Sequence, residues 1–272
     1  MLARTNLKKL GHHALRLFGR SNGEPADFAS DDVFVVGYPK SGNTWFQNLV
    51  AGVVYGLSPR YAPFQLIQDL VPDVHYKKSF TRYLPVMVFK THHLPRPEYR
   101  RVVYLLRDGR DVMASYFHHL RALNQGRDIS FLKMVRDGGL FPCKWHQHVE
   151  EWLFSDYKHD LLIIRYEHLI RDTVRELERF CSFSGFNRLT TVLQSVAEQC
   201  SFKEMRKREI EFGWGHPAWP RDQHFIRRGH IGSFRDEMPP EVLDAFLRDS
   251  SGTLKRCGYL NVRDEIPARG AP

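Results

Sequence analysis

Apolar residues follow two rhythms along this chain. Short β-branched or aromatic runs occur at DDVFVVGY (31–38), VMVFK (86–90) and RRVVYLLRD (100–108), and a fourth lies inside DLLIIRYEHL (160–169). They lack the polar alternation of a half-buried strand, so they read as strands buried on both faces. Between them, apolar residues recur at helical spacing in TWFQNLVAGVVYGL (44–57), DVMASYFHHLRAL (111–123), WHQHVEEWLF (145–154) and TVRELERFCSFSGF (173–186), the last closed by Gly185. Strands alternating with helices predict an α/β domain with a central parallel sheet flanked by helices. The last 70 residues read as irregular and basic.

Residues 1–30 stand apart as a basic extension, which places the domain at 31–272. Within LKKLGHHALRLFGR, Leu7, Leu10, Ala14 and Leu17 fall near one helical face, with Lys8, Lys9, Arg16 and Arg20 elsewhere. Two readings stand: a helix in residues 1–20 lying on a membrane surface, or a terminal helix resting on the domain. SNGEPADFAS then reads as a linker.

With 272 residues, 42% of them hydrophobic and 13% aromatic, the chain can bury a sizeable core. Its net charge of +9 implies an anionic partner without naming it. Cys143, Cys181, Cys200 and Cys257 are widely spaced, which suits reduced, mostly buried thiols rather than a disulfide framework or a zinc site. No run approaches the roughly 20 apolar residues of a membrane span. The N-terminus lacks the apolar stretch of a signal peptide, so a cytoplasmic location is expected.

The densest chemical signal is FVVGYPKSGNTWF (34–46). Gly37, Gly42 and Thr44 have the spacing of a phosphate-binding P-loop, and a strand–loop–helix turn offers backbone N–H groups and a helix N-terminus to an anion. The position that holds the nucleotide lysine in an NTPase is Asn43, and a lysine stands three residues earlier, at Lys40. That suits a donor without a γ-phosphate, handled without an obligatory metal. LLRDGRDVMASYFHH places Arg107 at a strand end and Ser115 eight residues on, where both can face one anion. FKTHHLP (89–95) brings Lys90 and His92 to another strand end, as a credible general base beside a cation. FIRRGHIGSFRD (225–236) adds two arginines before a glycine-rich turn.

In this order, these four elements resemble the cytosolic sulfotransferase family, which uses 3′-phosphoadenosine 5′-phosphosulfate (PAPS) and releases 3′,5′-adenosine bisphosphate (PAP). The resemblance covers residues 32–235. It implies that Lys40, Ser41, Gly42, Asn43, Thr44 and Trp45 cradle the 5′ end of the donor, Trp45 stacking on adenine. Arg107 and Ser115 would hold the 3′-phosphate, joined by Arg227, Arg228 and Gly229. Tyr166, Cys200, Ser201, Phe202 and Met205 would line the nucleotide pocket, and His148 would wall the acceptor pocket. His92 would be the base, with Lys40 and Lys90 stabilising charge on the leaving oxygen. Arg228 replaces the usual lysine, and Ser233-Phe234-Arg235 the usual Asp-Trp-Lys. No C-terminal dimerisation motif follows, which leaves the oligomeric state open.

The doubled histidine leaves the base open between His92 and His93. Side chains alternate along an extended chain, so His92 shares a face with Lys90, which favours His92. The expected reaction is sulfuryl transfer to a hydroxyl, or an amine, of a small molecule, sugar or lipid. A P-loop kinase of nucleotides or adenylyl sulfate is the rival reading, and it would need a lysine at 43 and Mg²⁺. Nucleic-acid binding is disfavoured because the basic residues cluster in the donor motifs. Segments 55–85 and 121–142 are expected to form the acceptor pocket, and Tyr55, Tyr61, Phe64, Tyr76, Phe80 and Tyr83 suggest an apolar or ring-bearing acceptor.

Overall fold

The computed structural model describes residues 28–77, 79–123, 129–215 and 219–260. The proposed N-terminal helix and part of the segment expected at the acceptor pocket, residues 124–128, lie outside them. Four strands form one parallel sheet: β1 (Val33–Gly37), β2 (Val88–Thr91), β3 (Arg101–Leu106) and β4 (Asp160–Arg165), in the order β2-β1-β3-β4. This is the P-loop-like α/β architecture expected from the alternation.

Helices cover both faces. β1 leads through α1 (Asn43–Tyr55) and α2 (Phe64–Leu70) to β2. β3 leads through α3 (Gly109–Leu123), α4 (Phe131–Asp137) and α5 (Trp145–Leu153) to β4. After β4 come α6 (Tyr166–Arg171), α7 (Thr173–Ser184), α8 (Thr190–Gln199), α9 (Phe202–Phe212), α10 (Phe234–Glu237) and α11 (Pro240–Arg256). Successive strand side chains point to opposite faces, so one unbroken apolar run feeds two cores. Phe34 and Val36 join Val112, Trp145, Trp152 and Phe246 on one face; Val33 and Val35 join Phe46, Leu49, Phe180 and Leu193 on the other.

The last 70 residues depart from the expectation of irregularity. They hold most of α9 and the 17-residue α11. Val242, Phe246 and Leu254 of α11 are buried in the first core, three apolar anchors diluted by charged residues on the outer face. Phe28 also falls inside the segment read as an extension, yet its ring packs edge-on against Phe34 at 5.0 Å and Phe89 at 4.9 Å. Among the described residues no helix is long and apolar enough to cross a membrane.

Candidate active site

β2 and β3 flank β1 on opposite sides. The carboxyl end of β1 is therefore the switch point of the sheet, where open α/β sheets hold ligands. The loop there is tight. A Cβ on Gly37 would lie 2.5 Å from Asn43 Oδ1 and 2.9 Å from the Leu105 carbonyl, so only glycine closes it. Gly42 has φ +96° and packs on the Tyr166 ring. Lys40, at φ +73°, adopts the left-handed conformation that bulky residues avoid, which turns its side chain out of the loop. Asn43 folds inward, its Nδ2 donating to the Tyr38 carbonyl at 2.9 Å. That bond pins the loop, and the buried Asn43 Oδ1 has no hydrogen-bond partner among the described residues.

Two cations meet at this loop. Arg107 follows β3 and donates to the Lys40 carbonyl at 2.9 Å and to the His230 carbonyl at 3.4 Å. Its guanidinium lies 4.1 Å over the Tyr166 ring and 4.0 Å from Asp111 Oδ2, and its buried Nε has no hydrogen-bond partner among the described residues. Lys40 is half-buried, with Nζ 3.4 Å from His119 Nδ1 and 4.2 Å over the Phe225 ring. Burial first, then the charges of Arg107, Lys90 and Arg227, bring its pKa down to about 7. The late glycine turn is fastened to α3: Asp111 accepts from Gly232 N at 2.7 Å and Phe234 N at 3.0 Å. Ser115, Lys40 and Arg227 share the wall of a cavity of about 440 Å³. Arg227 is held by both oxygens of Glu237, and Arg228, on the surface, meets the same carboxylate at 3.1 Å.

The residues expected around the nucleotide differ in how far they are exposed. Trp45 stands edge-on to Tyr166, ring centres 6.0 Å apart, and donates to the Cys200 carbonyl at 2.8 Å. Phe202 is 44% exposed, and Gly229, at φ +65°, lies so close that a Cβ would sit 2.5 Å from its ring. Ser41 is buried in the loop and Thr44 half-buried. The Cys200 and Met205 side chains are buried, and Ser201 caps α9. All four cysteines are free, three of them buried.

β2 delivers the candidate base. Lys90, buried, bonds Asp73 Oδ2 at 2.5 Å. Asp73 went unnoticed in the sequence, where nothing links it to a lysine 17 residues on; residues 72–74 run beside β2 and exchange backbone hydrogen bonds with Lys90. His92 Nδ1 lies 2.7 Å from the Gly37 carbonyl. A carbonyl only accepts, so Nδ1 carries the proton and Nε2 keeps its lone pair. Burial, followed by the Lys90 charge, lowers its pKa to about 3, and the imidazole is neutral. His93 points elsewhere, its Nδ1 3.2 Å from the Tyr99 hydroxyl.

His148 does not wall a pocket. It is wholly buried, with Nε2 donating to the His92 carbonyl at 3.1 Å and Nδ1 2.8 Å from the Tyr104 hydroxyl. Trp152, one turn on, donates to the His93 carbonyl at 3.0 Å. The aromatics expected at an acceptor pocket also scatter. Tyr61, Tyr76 and Tyr83 are exposed, Phe80 packs on Phe28 and Phe89, and Phe64 meets Trp214. Tyr55 bonds the Met87 sulfur. None lines the large cavity; Phe225 and Trp219 do.

A family model for the sulfotransferase domain matches residues 30–258. The chain belongs to the sulfotransferase family. Sulfotransferase 1A1 of Rattus norvegicus is 24% identical over 90% of this chain and 92% of its own length. The 3-beta-hydroxysteroid sulfotransferase of Cavia porcellus is 25% identical over 84% and 85%. Among solved structures, a retinol dehydratase in complex with androsterone and inactive cofactor PAP covers 84% of this sulfotransferase and 82% of its own chain, with TM-score 0.65 and 24% identity. Mouse sulfotransferase SULT7A1 complexed with PAP matches with TM-score 0.64 and 21% identity, covering 85% and 88%.

Proposed function

We propose that this sulfotransferase moves a sulfuryl group from PAPS to a hydroxyl of a small-molecule acceptor and releases PAP. One observation carries the donor assignment. Lys40 and Arg107, from the carboxyl ends of two adjacent strands, meet at the glycine loop, and a buried N–H of Arg107 lacks a hydrogen-bond partner among the described residues. A buried cationic donor left unpaired is costly until an anion takes it. A nucleotide with a 3′-phosphate and a 5′-phosphosulfate fits that need, and the PAP held by the two related structures supports it.

In this reading Arg107, Ser115, Arg227, Arg228 and Gly229 hold the 3′-phosphate. The backbone from Ser41 to Trp45, at the start of α1, takes the 5′-phosphosulfate. Trp45, Tyr166 and Phe202 flank adenine. His92 Nε2 takes the acceptor proton as the acceptor oxygen attacks sulfur in line. The bond from sulfur to the bridging oxygen breaks, and Lys40 stabilises the charge left on the 5′-phosphate. Asp73 neutralises Lys90 and favours the imidazolium that forms at His92.

The test is donor discrimination. Losing a charge-assisted contact to a buried phosphate costs about 1.5–3 kcal/mol, so Arg107→Ala should weaken PAP binding by roughly ten- to hundredfold. Adenosine 5′-phosphosulfate should be a poor donor beside PAPS. Equal calorimetric affinity for the two donors would overturn the assignment.

A further inference from the structure

Arg227 and Arg228, which hold the 3′-phosphate in the proposed reading, already share an anion. Both terminal nitrogens of Arg227 donate to the two Glu237 oxygens, and Arg228 Nε lies 3.1 Å from Oε1. His118 Nε2, on α3, stands 3.8 Å from the same oxygen. The Glu237 side chain is only 8% exposed. Burial pushes its carboxyl up, but the bond from Arg227 and the charges around it outweigh burial and hold the pKa below its ordinary value, so the group is a carboxylate. The preceding residue, Asp236, also meets Arg228, at 3.9 Å, yet it is 77% exposed and screened by water.

The fold places this carboxylate independently of the arginines. Glu237 ends α10, which packs on α3. Asp111 of α3 fastens the turn before α10 through Gly232 N and Phe234 N, and Phe234 is buried in the first core. On the other side Glu209 accepts from Phe225 N and Ile226 N, which fixes the backbone leading into Arg227. Both partners are thus anchored, and the carboxylate stays beside the arginines when a phosphate arrives. Arg227, Ser115 and His118 line the cavity of about 440 Å³ and Glu237 does not, so Glu237 stands behind Arg227 rather than in the place of the phosphate. A phosphate at Arg227 is attracted by the guanidiniums and repelled by the carboxylate behind them.

We infer that Glu237 is a built-in counter-anion that weakens the grip on the 3′-phosphate and thereby sets how fast PAP leaves. PAPS and PAP carry the same 3′-phosphate. A contact to it strengthens donor and product alike, adds nothing to the chemical step, and delays departure of the product. Glu237 takes back part of that binding while keeping the Arg227 fork in place. The inference rests on the reading of Arg227 and Arg228 as ligands of the 3′-phosphate.

The full chain is titrated calorimetrically with PAP and with adenosine 5′-monophosphate, which lacks the 3′-phosphate, and PAP dissociation is timed by chasing labelled PAP with unlabelled. Glu237→Gln removes the charge and keeps the shape and an acceptor for Arg227. It should bind PAP about tenfold more tightly and release it correspondingly more slowly, with adenosine 5′-monophosphate affinity within twofold of the wild type. Glu237→Ser should shift PAP the same way, and it carries the test if the glutamine variant does not fold. Asp236→Asn, which removes an equal charge one residue away in solvent, should change PAP affinity by less than twofold. A residue that only orients Arg227 gives the opposite sign, because its loss weakens PAP. Unchanged or weaker PAP binding, an equal gain for adenosine 5′-monophosphate or in Asp236→Asn, or failure of both Glu237 variants to fold would overturn the proposal. Wild-type protein that binds PAP no more tightly than adenosine 5′-monophosphate would strike the 3′-phosphate reading itself, and the proposal with it.

Discussion

At Lys40 the ammonium sits among cations, with its pKa lowered to about 7 by burial and by Arg107, Lys90 and Arg227. At pH 8 most of the free protein therefore lacks that charge. An anion at the loop favours the protonated form, so PAP binding should take up a proton at pH 8, and affinity should fall as pH rises past about 7. Titrations in HEPES and in Tris, whose ionisation enthalpies differ, should give different apparent enthalpies. Identical values would refute the coupling. At His92 the shift is also downward, but here it serves the role: a pKa lowered to about 3 leaves the base unprotonated, so kcat should show no loss between pH 7 and 5 from its protonation. His92→Ala should cost about 10²–10⁴ in kcat, the usual range for a general base. His93 bonds the Tyr99 hydroxyl, and His93→Ala should lose less than about tenfold. Donor affinity measured in both variants separates binding from chemistry.

Among the elements, α5 decides how the end of β2 is held. His148 and Trp152, four apart on one helix face, fix the carbonyls of His92 and His93. Tyr104 on β3 braces His148 from behind. His148→Phe leaves the His92 carbonyl and the Tyr104 hydroxyl without their partner, at about 1–3 kcal/mol each. The variant should melt lower and lose more than tenfold in kcat, while PAP binding stays within twofold. A variant with a lowered Tm and unchanged kcat would limit α5 to packing. WHQHVEEW could be read as a helix from its spacing. Which carbonyl its histidine would meet could not, because β2 lies more than 50 residues away in the chain.

For the whole molecule, acid should be the weak side. His92 and His148 are held neutral by burial, with pKa values lowered to about 3 and about 4, and His118, His146 and His159 are lowered as well. Unfolded histidine titrates near 6.5, so between about pH 4 and 6.5 the unfolded chain binds more protons than the folded one. Stability should therefore rise with pH through that window. His92 and His148 should together contribute a few kcal/mol of the difference between pH 5 and pH 7, measured by urea unfolding; equal stability at the two values would contradict it. The sequence by itself determined the sheet, its parallel sense, the glycine loop and the order of the cationic motifs. Those are local facts, carried by apolar period, glycine position and strand-to-helix spacing. Tertiary structure alone decided what depends on contacts between distant segments: Asp73 under Lys90, Glu237 across Arg227, and the His148 brace behind His92. It also brought α3 and the loop 219–225 around one cationic cavity, because side-chain partners separated by many residues meet only when the sheet assembles.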